Sequence, residues 1–235
     1  MQLFYNPDIT PGSTTFLFDK EESRHIIKVL RKKEGDTIQI TNGSGYLFTS
    51  EITFGNEKKC EVKITAEQFF EPAPYSLHLA VAPTKLNDRY EWFLEKAVEI
   101  GINEITPLIC EHSERTNFKA DRFEKILQSA MKQSLQYYLP KLNEPVAFTA
   151  FVSDAKEGDL FIAHCEETDK KLLKHALQPK QKVTILIGPE GDFSTKEINL
   201  ALAQKYVAVS LGNTRLRTET AAIVAAHSVA FVNEE

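Results

Sequence analysis

Two short stretches of the 235-residue chain carry residue types whose spacing suits chemistry. The first is Gly188-Pro-Glu-Gly-Asp-Phe-Ser194. The second is Gly212-Asn-Thr-Arg-Leu-Arg217, which runs on through Thr218, Glu219, Thr220 and Ala221 into an apolar helix. Small residues expose backbone, and exposed backbone can approach a flat heterocycle closely. The same glycines also fit plain turn punctuation between strand and helix. Arg215 and Arg217 stand where the partial positive charge of a helix N-terminus disfavours cations. An arginine kept at such a place suits an anion that arrives with a substrate. Glu219 adds a carboxylate two positions on, and it fits either chemistry or favourable charge in a first helical turn capped by Thr218. Neither loop follows G-x-G-x-x-G or G-x-x-x-x-G-K-[ST], so nucleotide cradling of those kinds has no support. No G-x-S-x-G elbow occurs, and Cys165 beside His164 is a poor dyad because neighbouring strand side chains face opposite sides.

These loops need elements to hold them. SLHLAVA, EITPLIC, DLFIAH, KVTILIG and YVAVSLG read as strands, and residues 88–100, 120–138, 168–177, 195–204 and 218–231 read as helices. The alternation predicts a parallel sheet covered on both faces. Both loops then lie beyond the C-terminal ends of strands, where ligands bind in open α/β folds. Ser194 or Thr195 is placed to cap the next helix, with Glu197 completing a capping box. In the helix over 88–100, Trp92, Phe93 and the stem of Lys96 are expected on the inner face, and Gly101 suits its C-terminal cap. His112-Ser-Glu-Arg115 follows the next strand and can line the same mouth. His78, alone within a strand, reads as structural.

The first 71 residues have a different pattern, in which short alternating runs (LFYN, TFLF, DTIQIT, GYLFTSEI, CEVKITAEQFF) are separated by Gly and Asn. They predict a small β-barrel or sandwich with one helix over 23–33. Phe-Phe-Glu-Pro-Ala-Pro-Tyr follows, and its prolines favour an extended linker, so the boundary falls at residue 72. On the expected helix, Arg24, Lys28, Arg31, Lys32 and Lys33 form a run without an acidic residue. Such a run fits a solvated face or a phosphate-contacting patch.

Apolar residues make up 42% of the chain and charged residues 26%, which is ordinary for a globular protein and far from the signature of disorder. Net charge of −5 argues only weakly against a nucleic-acid partner, because distribution matters more than sum. Cys60, Cys110 and Cys165 are scattered, without metal-like spacing, which suits a reducing compartment. MQLFYNPDIT has no basic segment leading into an apolar stretch, and the apolar run 221–232 is too short to span a bilayer. The expectation is a cytoplasmic protein with no metal and no membrane association.

HIIKVLRKKEGD, KLNDRYEWFLEKAVEIGINEITPL, HSER, IGPEGDFSTKEI and LGNTRLRTETAAIVAA occur in that order across nearly the whole chain. In these pieces the sequence resembles the bacterial 16S ribosomal RNA uridine-N3 methyltransferases, the RsmE family of the SPOUT superfamily. The resemblance implies a PUA-like RNA-binding β-barrel over 1–72 and an α/β methyltransferase domain over 73–235, with a C-terminal deep trefoil knot. It also implies S-adenosylmethionine as cofactor, 16S rRNA or the small ribosomal subunit as partner, and a homodimer. The cofactor would lie against His164, Ile187, Gly188, Pro189, Glu190, Gly191, Leu211, Gly212, Asn213, Leu216, Thr220 and Ala221. RNA would meet Arg24, Lys28, Arg31, Lys32 and Lys33 on the barrel, and Lys85, Arg89 and Arg115 on the second domain. Two alternatives stay open: a SPOUT methyltransferase acting on another RNA site, and a non-catalytic RNA-binding assembly protein.

On this reading uracil N3 must lose a tightly held proton, and a carboxylate is a poor base for it unless the product anion is stabilised. Arg217, set against O2 or O4, is expected to stabilise that anion, with Glu219 orienting it or relaying the proton and Arg215 as a further catalytic candidate. Three departures stand out. Gly191-Asp192 replaces the family's usual pair of glycines, Thr214-Arg215-Leu216-Arg217 shifts its first arginine by one place, and Lys132-Gln133-Ser134-Leu135-Gln136 replaces the usual Glu-Gln-Ser-x-Arg.

Overall fold

Alternating apolar residues near the N-terminus form β1 (Leu3–Tyr5), β2 (Thr15–Leu17), β3 (Thr37–Thr41), β4 (Tyr46–Asn56) and β5 (Lys59–Phe69) in the computed structural model of the protein, which describes residues 2–116, 118–154 and 156–234. They make one sheet in the order β1-β3-β4-β5-β2, antiparallel except for β1 against β3. Its inner face buries Phe4, Phe18, Ile40, Phe48 and Val62 together with Ile26.

Ile26 comes from a helical segment shorter than the expected 23–33. Helix α1 (Lys20–Arg24) is capped by Asp19, whose carboxylate accepts from the Glu22 N–H at 2.8 Å, and it passes into a π-helical turn over His25–Val29. Arg31, with φ of 57°, ends the helix. The basic run is therefore split: Arg24 and Lys28 are on the helical part, and Arg31, Lys32 and Lys33 are in the turn after it. All five are exposed or half-exposed, and Lys28 lies 3.8 Å from Glu57.

The chain forms two compact units, Met1–Pro72 with Met131–Leu139, and Ala73–Ala130 with Pro140–Glu235. This differs from a single cut at residue 72 in one respect, because residues 131–139 belong with the strands. The cause is hydrogen bonding at the start of β4: Gly45 N–H donates to Tyr137 O, Leu139 N–H to Gly43 O, and the Tyr138 hydroxyl to Phe70 O. The helix expected over 120–138 correspondingly stops at Gln133, and Leu135 adopts φ of 57°.

The second unit contains β6 (Ser76–Val81), α2 (Asn87–Ile100), β7 (Glu104–Ile109), most of α3 (Ala120–Gln133), β8 (Lys141–Leu142), β9 (Val146–Ala147), α4 (Phe148–Ser153), β10 (Asp159–Ala163), β11 (Lys171–Leu172), α5 (Leu173–Ala176), β12 (Lys182–Ile187), α6 (Thr195–Ala203), β13 (Val207–Ser210) and α7 (Thr218–Asn233). The sheet runs β11-β13-β10-β12-β6-β7-β8, with β9 also on β7, and every pairing is parallel. The five expected strands are its centre. The two-residue strands β8, β9 and β11 and helix α4 have too little periodicity to show in sequence. The helix expected over 168–177 shrinks to α5.

Register determines where the chemistry sits. Val81, Ala163 and Val209 align directly or through one neighbour with Ile187, so β6, β10, β12 and β13 all end at one edge. Helix α2 buries Tyr90, Phe93, Leu94 and Ala97 and ends at Gly101, whose φ of 100° suits glycine. Trp92 departs from expectation: it is 44% exposed, because it falls outside the face set by residues 90, 93, 94 and 97. Helix α7 packs on α2 and the sheet through Ala222, Ala225, Ala226 and Val229, while Phe231 is 66% exposed. Among the described residues no helix is long and apolar enough to cross a membrane.

Candidate active site

Three loops meet at the common strand edge. Residues 164–170 follow β10, 188–194 follow β12 and 211–217 follow β13. They enclose a cavity of about 460 Å³ lined by His164, Cys165, Lys170, Asp192 and residues 209–216. An adjoining cavity of about 290 Å³ is lined by residues 187–190, Asp192, Arg215, Leu216, Arg217 and Thr218. Cys165, Asp192, Arg215, Leu216 and Ala221 border both, so the two are halves of one cleft of ligand size.

Each loop is held by identifiable bonds. The capping box at α6 is present as expected: Ser194 Oγ accepts from Glu197 N–H at 3.3 Å and Glu197 Oε2 accepts from Ser194 N–H at 2.8 Å. The second Glu197 oxygen accepts from Glu111 N–H at 2.9 Å, which ties the loop after β7 to the loop after β12. His112 Nδ1 lies 3.2 and 3.0 Å from the Gly191 and Asp192 carbonyls, so a proton on Nδ1 completes this link. Gly188 permits a close approach, since a Cβ there would stand 3.1 Å from the Phe193 ring and the ring would have to give by a few tenths of an ångström. Thr218, expected as a helix cap, does something else. Arg217 occupies the N-cap position without a side-chain cap bond, and the buried Thr218 hydroxyl donates to Gly188 O at 3.0 Å. That bond joins the loop after β13 to the loop after β12.

Of the residues expected to meet a cofactor, His164, Leu211, Gly212, Asn213, Leu216 and Ala221 line the larger half, and Ile187, Gly188, Pro189 and Glu190 join Leu216 and Ala221 in the smaller. Gly191 and Thr220 do not line it; Gly191 instead presents its carbonyl to His112. His164 is 7% exposed, and neither ring nitrogen has a hydrogen-bond partner among the described residues. Burial, reinforced by the Lys170 ammonium, holds its pKa below the usual imidazole range, so near neutrality it is an uncharged ring with one donor and one acceptor to offer. Lys170 was not visible as a site residue. It reaches back to the His164 and Glu166 carbonyls at 2.9 and 2.6 Å and closes that loop. Asp192, in sequence only a departure from the family pattern, borders both halves of the cleft.

Arg215 and Arg217 both reach the cleft, Arg217 from the smaller half. Glu219 does not line it. Among the described residues its ion-pair partner is Arg89, Nε to Oε1 at 3.9 Å, rather than the Arg217 it was expected to orient, and its other oxygen is buried without a partner. Of the other expected RNA contacts, Lys85 and Arg115 are brought together, while Arg89 lies beside Glu219. Lys85 N–H donates to Glu190 Oε1 at 2.9 Å, its ammonium pairs with Glu114 at 2.7 Å, and Arg115 donates to Lys85 O at 3.2 Å. Among the described residues no group of His, Cys, Asp and Glu could hold a metal ion.

A parallel α/β sheet with a three-loop cleft at its carboxyl edge, preceded by a small β unit, is the arrangement of the RNA methyltransferase class. Residues 71–230 match the RNA methyltransferase domain family, and residues 18–65 match the PUA domain of RNA methyltransferases. The chain is 31% identical over 220 residues to ribosomal RNA small subunit methyltransferase E of Buchnera aphidicola, covering 89% of this chain and 85% of that protein. A crystal structure of a probable rRNA methyltransferase from Porphyromonas gingivalis superposes with a TM-score of 0.91 at 37% identity, over 99% of this chain and 98% of that one. A Legionella pneumophila methyltransferase in complex with S-adenosylmethionine gives 0.88 at 30% identity, over 98% and 97%. The chain belongs to the ribosomal RNA small subunit methyltransferase E family.

Proposed function

We propose that this protein transfers a methyl group from S-adenosylmethionine to N3 of a uridine in 16S rRNA, using the three-loop cleft. The observation that carries the proposal is the convergence of small-residue loops and two arginines on one cavity at the carboxyl edge of the sheet. The cleft fits the cofactor. It has the right size, glycines at its wall in Gly188 and Gly212, and a buried His164 whose ring nitrogens lack partners among the described residues. S-adenosylmethionine supplies an already activated methyl group when bound.

The protein's own task is to align the nucleophile and stabilise its anion. Arg217, exposed at the smaller half of the cleft, faces O2 or O4 of the target base and favours the N3 anion. Glu219, buried beside Arg89, holds that arginine at the mouth to meet RNA, together with Lys85 and Arg115. The basic turn of the barrel contacts phosphates. The chain acts as a cytoplasmic homodimer whose C-terminal part is threaded as a trefoil knot. The exposed Phe231 on an otherwise apolar α7, and the exposed Trp92 on α2, suit burial by a second copy.

Arg217→Ala should abolish most methylation of 16S rRNA at saturating cofactor while leaving S-adenosylmethionine affinity, measured by calorimetry, within about twofold. Undiminished turnover would remove Arg217 from the chemistry. Failure of the wild type to bind the cofactor would favour a non-catalytic RNA-binding role.

A further inference from the structure

Asp192 has the backbone conformation of a glycine and the side chain of an anion. Its φ of 63° lies in the left-handed region, which Asp enters with help from local hydrogen bonds. Both oxygens are fixed. Oδ1 accepts from the Phe193 N–H at 2.9 Å, and Oδ2 accepts from the Cys165 N–H at 2.7 Å, across to the loop after β10. These donors are neutral, so they set the carboxylate's direction without cancelling its charge. A carboxylate has about four acceptor positions, so two remain available. Among the described residues Asp192 forms no ion pair, although Arg215, Lys170 and the uncharged His164 line the same cavity. Lys170 is occupied by two carbonyls. The Asp192 charge is felt inside the cleft: after burial, it is the next influence raising the Cys165 thiol pKa, opposed by Arg215.

A ligand with a cation near one end and an anion nearby would complete this cavity. Resting on the proposed cofactor, we propose that the Asp192 carboxylate is the electrostatic partner of a cationic centre of S-adenosylmethionine, its sulfonium or its α-ammonium. Asp192 then fixes the loop after β12 and selects for the charged cofactor with one side chain.

The test uses the full-length protein, Asp192→Asn and Asp192→Gly. Asn tolerates the left-handed conformation and keeps one acceptor oxygen, whereas Gly relieves the backbone and removes both. Calorimetry would compare S-adenosylmethionine, S-adenosylhomocysteine and 5′-methylthioadenosine, which carries neither the sulfonium nor the amino-acid end. Asp192→Asn should weaken S-adenosylmethionine about tenfold and leave 5′-methylthioadenosine within about twofold. Asp192→Gly should show the same selectivity. Weakening of S-adenosylhomocysteine to the same degree assigns the ammonium, and its sparing assigns the sulfonium. Equal weakening of all three compounds, or no change in any, would overturn the proposal in favour of a purely structural residue. If the wild type binds none of them, the cofactor reading itself fails and takes this inference with it.

Discussion

Glu197 should be worth more to this protein than an ordinary capping residue. It is 6% exposed, and each of its oxygens accepts a backbone N–H, one from Ser194 within α6's own cap and one from Glu111 in the loop after β7. Glu197→Ala loses the reciprocal half of the capping box and leaves two N–H groups without their acceptor. A lost cap costs about 1 kcal/mol, and a buried donor left unsatisfied costs about 1–3 kcal/mol. Partial solvent access at Glu111 puts the sum near 3 kcal/mol. Ser194→Ala removes only the 3.3 Å bond to Glu197 N–H and should cost about 1 kcal/mol. Urea unfolding followed by fluorescence of the single tryptophan, Trp92, reports on the unit that contains both residues. Cofactor affinity should fall with Glu197→Ala as well, because the bond to Glu111 braces the cleft loop after β12 against the loop after β7. Equal losses for the two variants, or a loss under about 1 kcal/mol for Glu197→Ala, would refute the claim that this carboxylate joins the loops.

Two other perturbations probe the N-terminal unit and the larger sheet. Replacing Lys28, Arg31 and Lys32 together by Gln should reduce the slope of log affinity for 16S rRNA against log salt by about 2, since each phosphate no longer neutralised takes about 0.7 from it. Stability should hardly change, since the Lys28–Glu57 pair is exposed, and an unaltered slope would mark the run as a solvated face. His78 is held at a pKa of about 4 by burial, against an ordinary value near 6.5, with Glu104, Lys156 and Lys141 as its charged neighbours. The unfolded chain therefore takes up a proton that the native state refuses, so stability is full above pH 6.5 and falls as pH drops towards 4, by up to about 2 kcal/mol at pH 5. Urea midpoints at pH 7.5 and 5 should show that loss in the wild type and much less of it in His78→Gln.

The sequence revealed most where the controlling interaction is local. The capping box at Ser194 and Glu197 spans three residues, and Gly101 follows directly on its helix, so both were legible. The five main strands were legible from continuous apolar runs that a two-faced parallel sheet requires. The inclusion of residues 131–139 in the N-terminal unit depends on Gly45–Tyr137 and Gly43–Leu139 bonds between residues more than 90 positions apart, and no local pattern announces them. The pairing of Glu219 with Arg89 has the same origin: proximity to Arg217 in sequence suggested the wrong partner. Arg31 looked helical by charge spacing, yet its positive φ ends the turn, a property that basic residues do not advertise. Asp192 could be seen as an oddity in the sequence, but its orientation into the cleft required the backbone angle and both hydrogen bonds.

Arg217 at the start of α7 is the feature that the fold explains best. The usual occupant of an N-cap contributes an oxygen to the first helical N–H groups, but Arg217 has none, and the Thr218 hydroxyl is spent on Gly188 O. The helix therefore begins without a side-chain cap, with Thr218 and Ala221 facing the smaller half of the cleft. An uncapped helix N-terminus beside a guanidinium is a place for an anion, and the field that disfavours Arg217 in the free protein becomes an asset when negative charge develops on the base. This gives Arg217→Ala a second readout that a structural role would not produce. Removing the cation should stabilise α7 by about 0.3–1 kcal/mol even as methylation collapses. A variant that lost activity and stability together would instead show that Arg217 holds the loop in place, and the anion-stabilising role would then have to be given up.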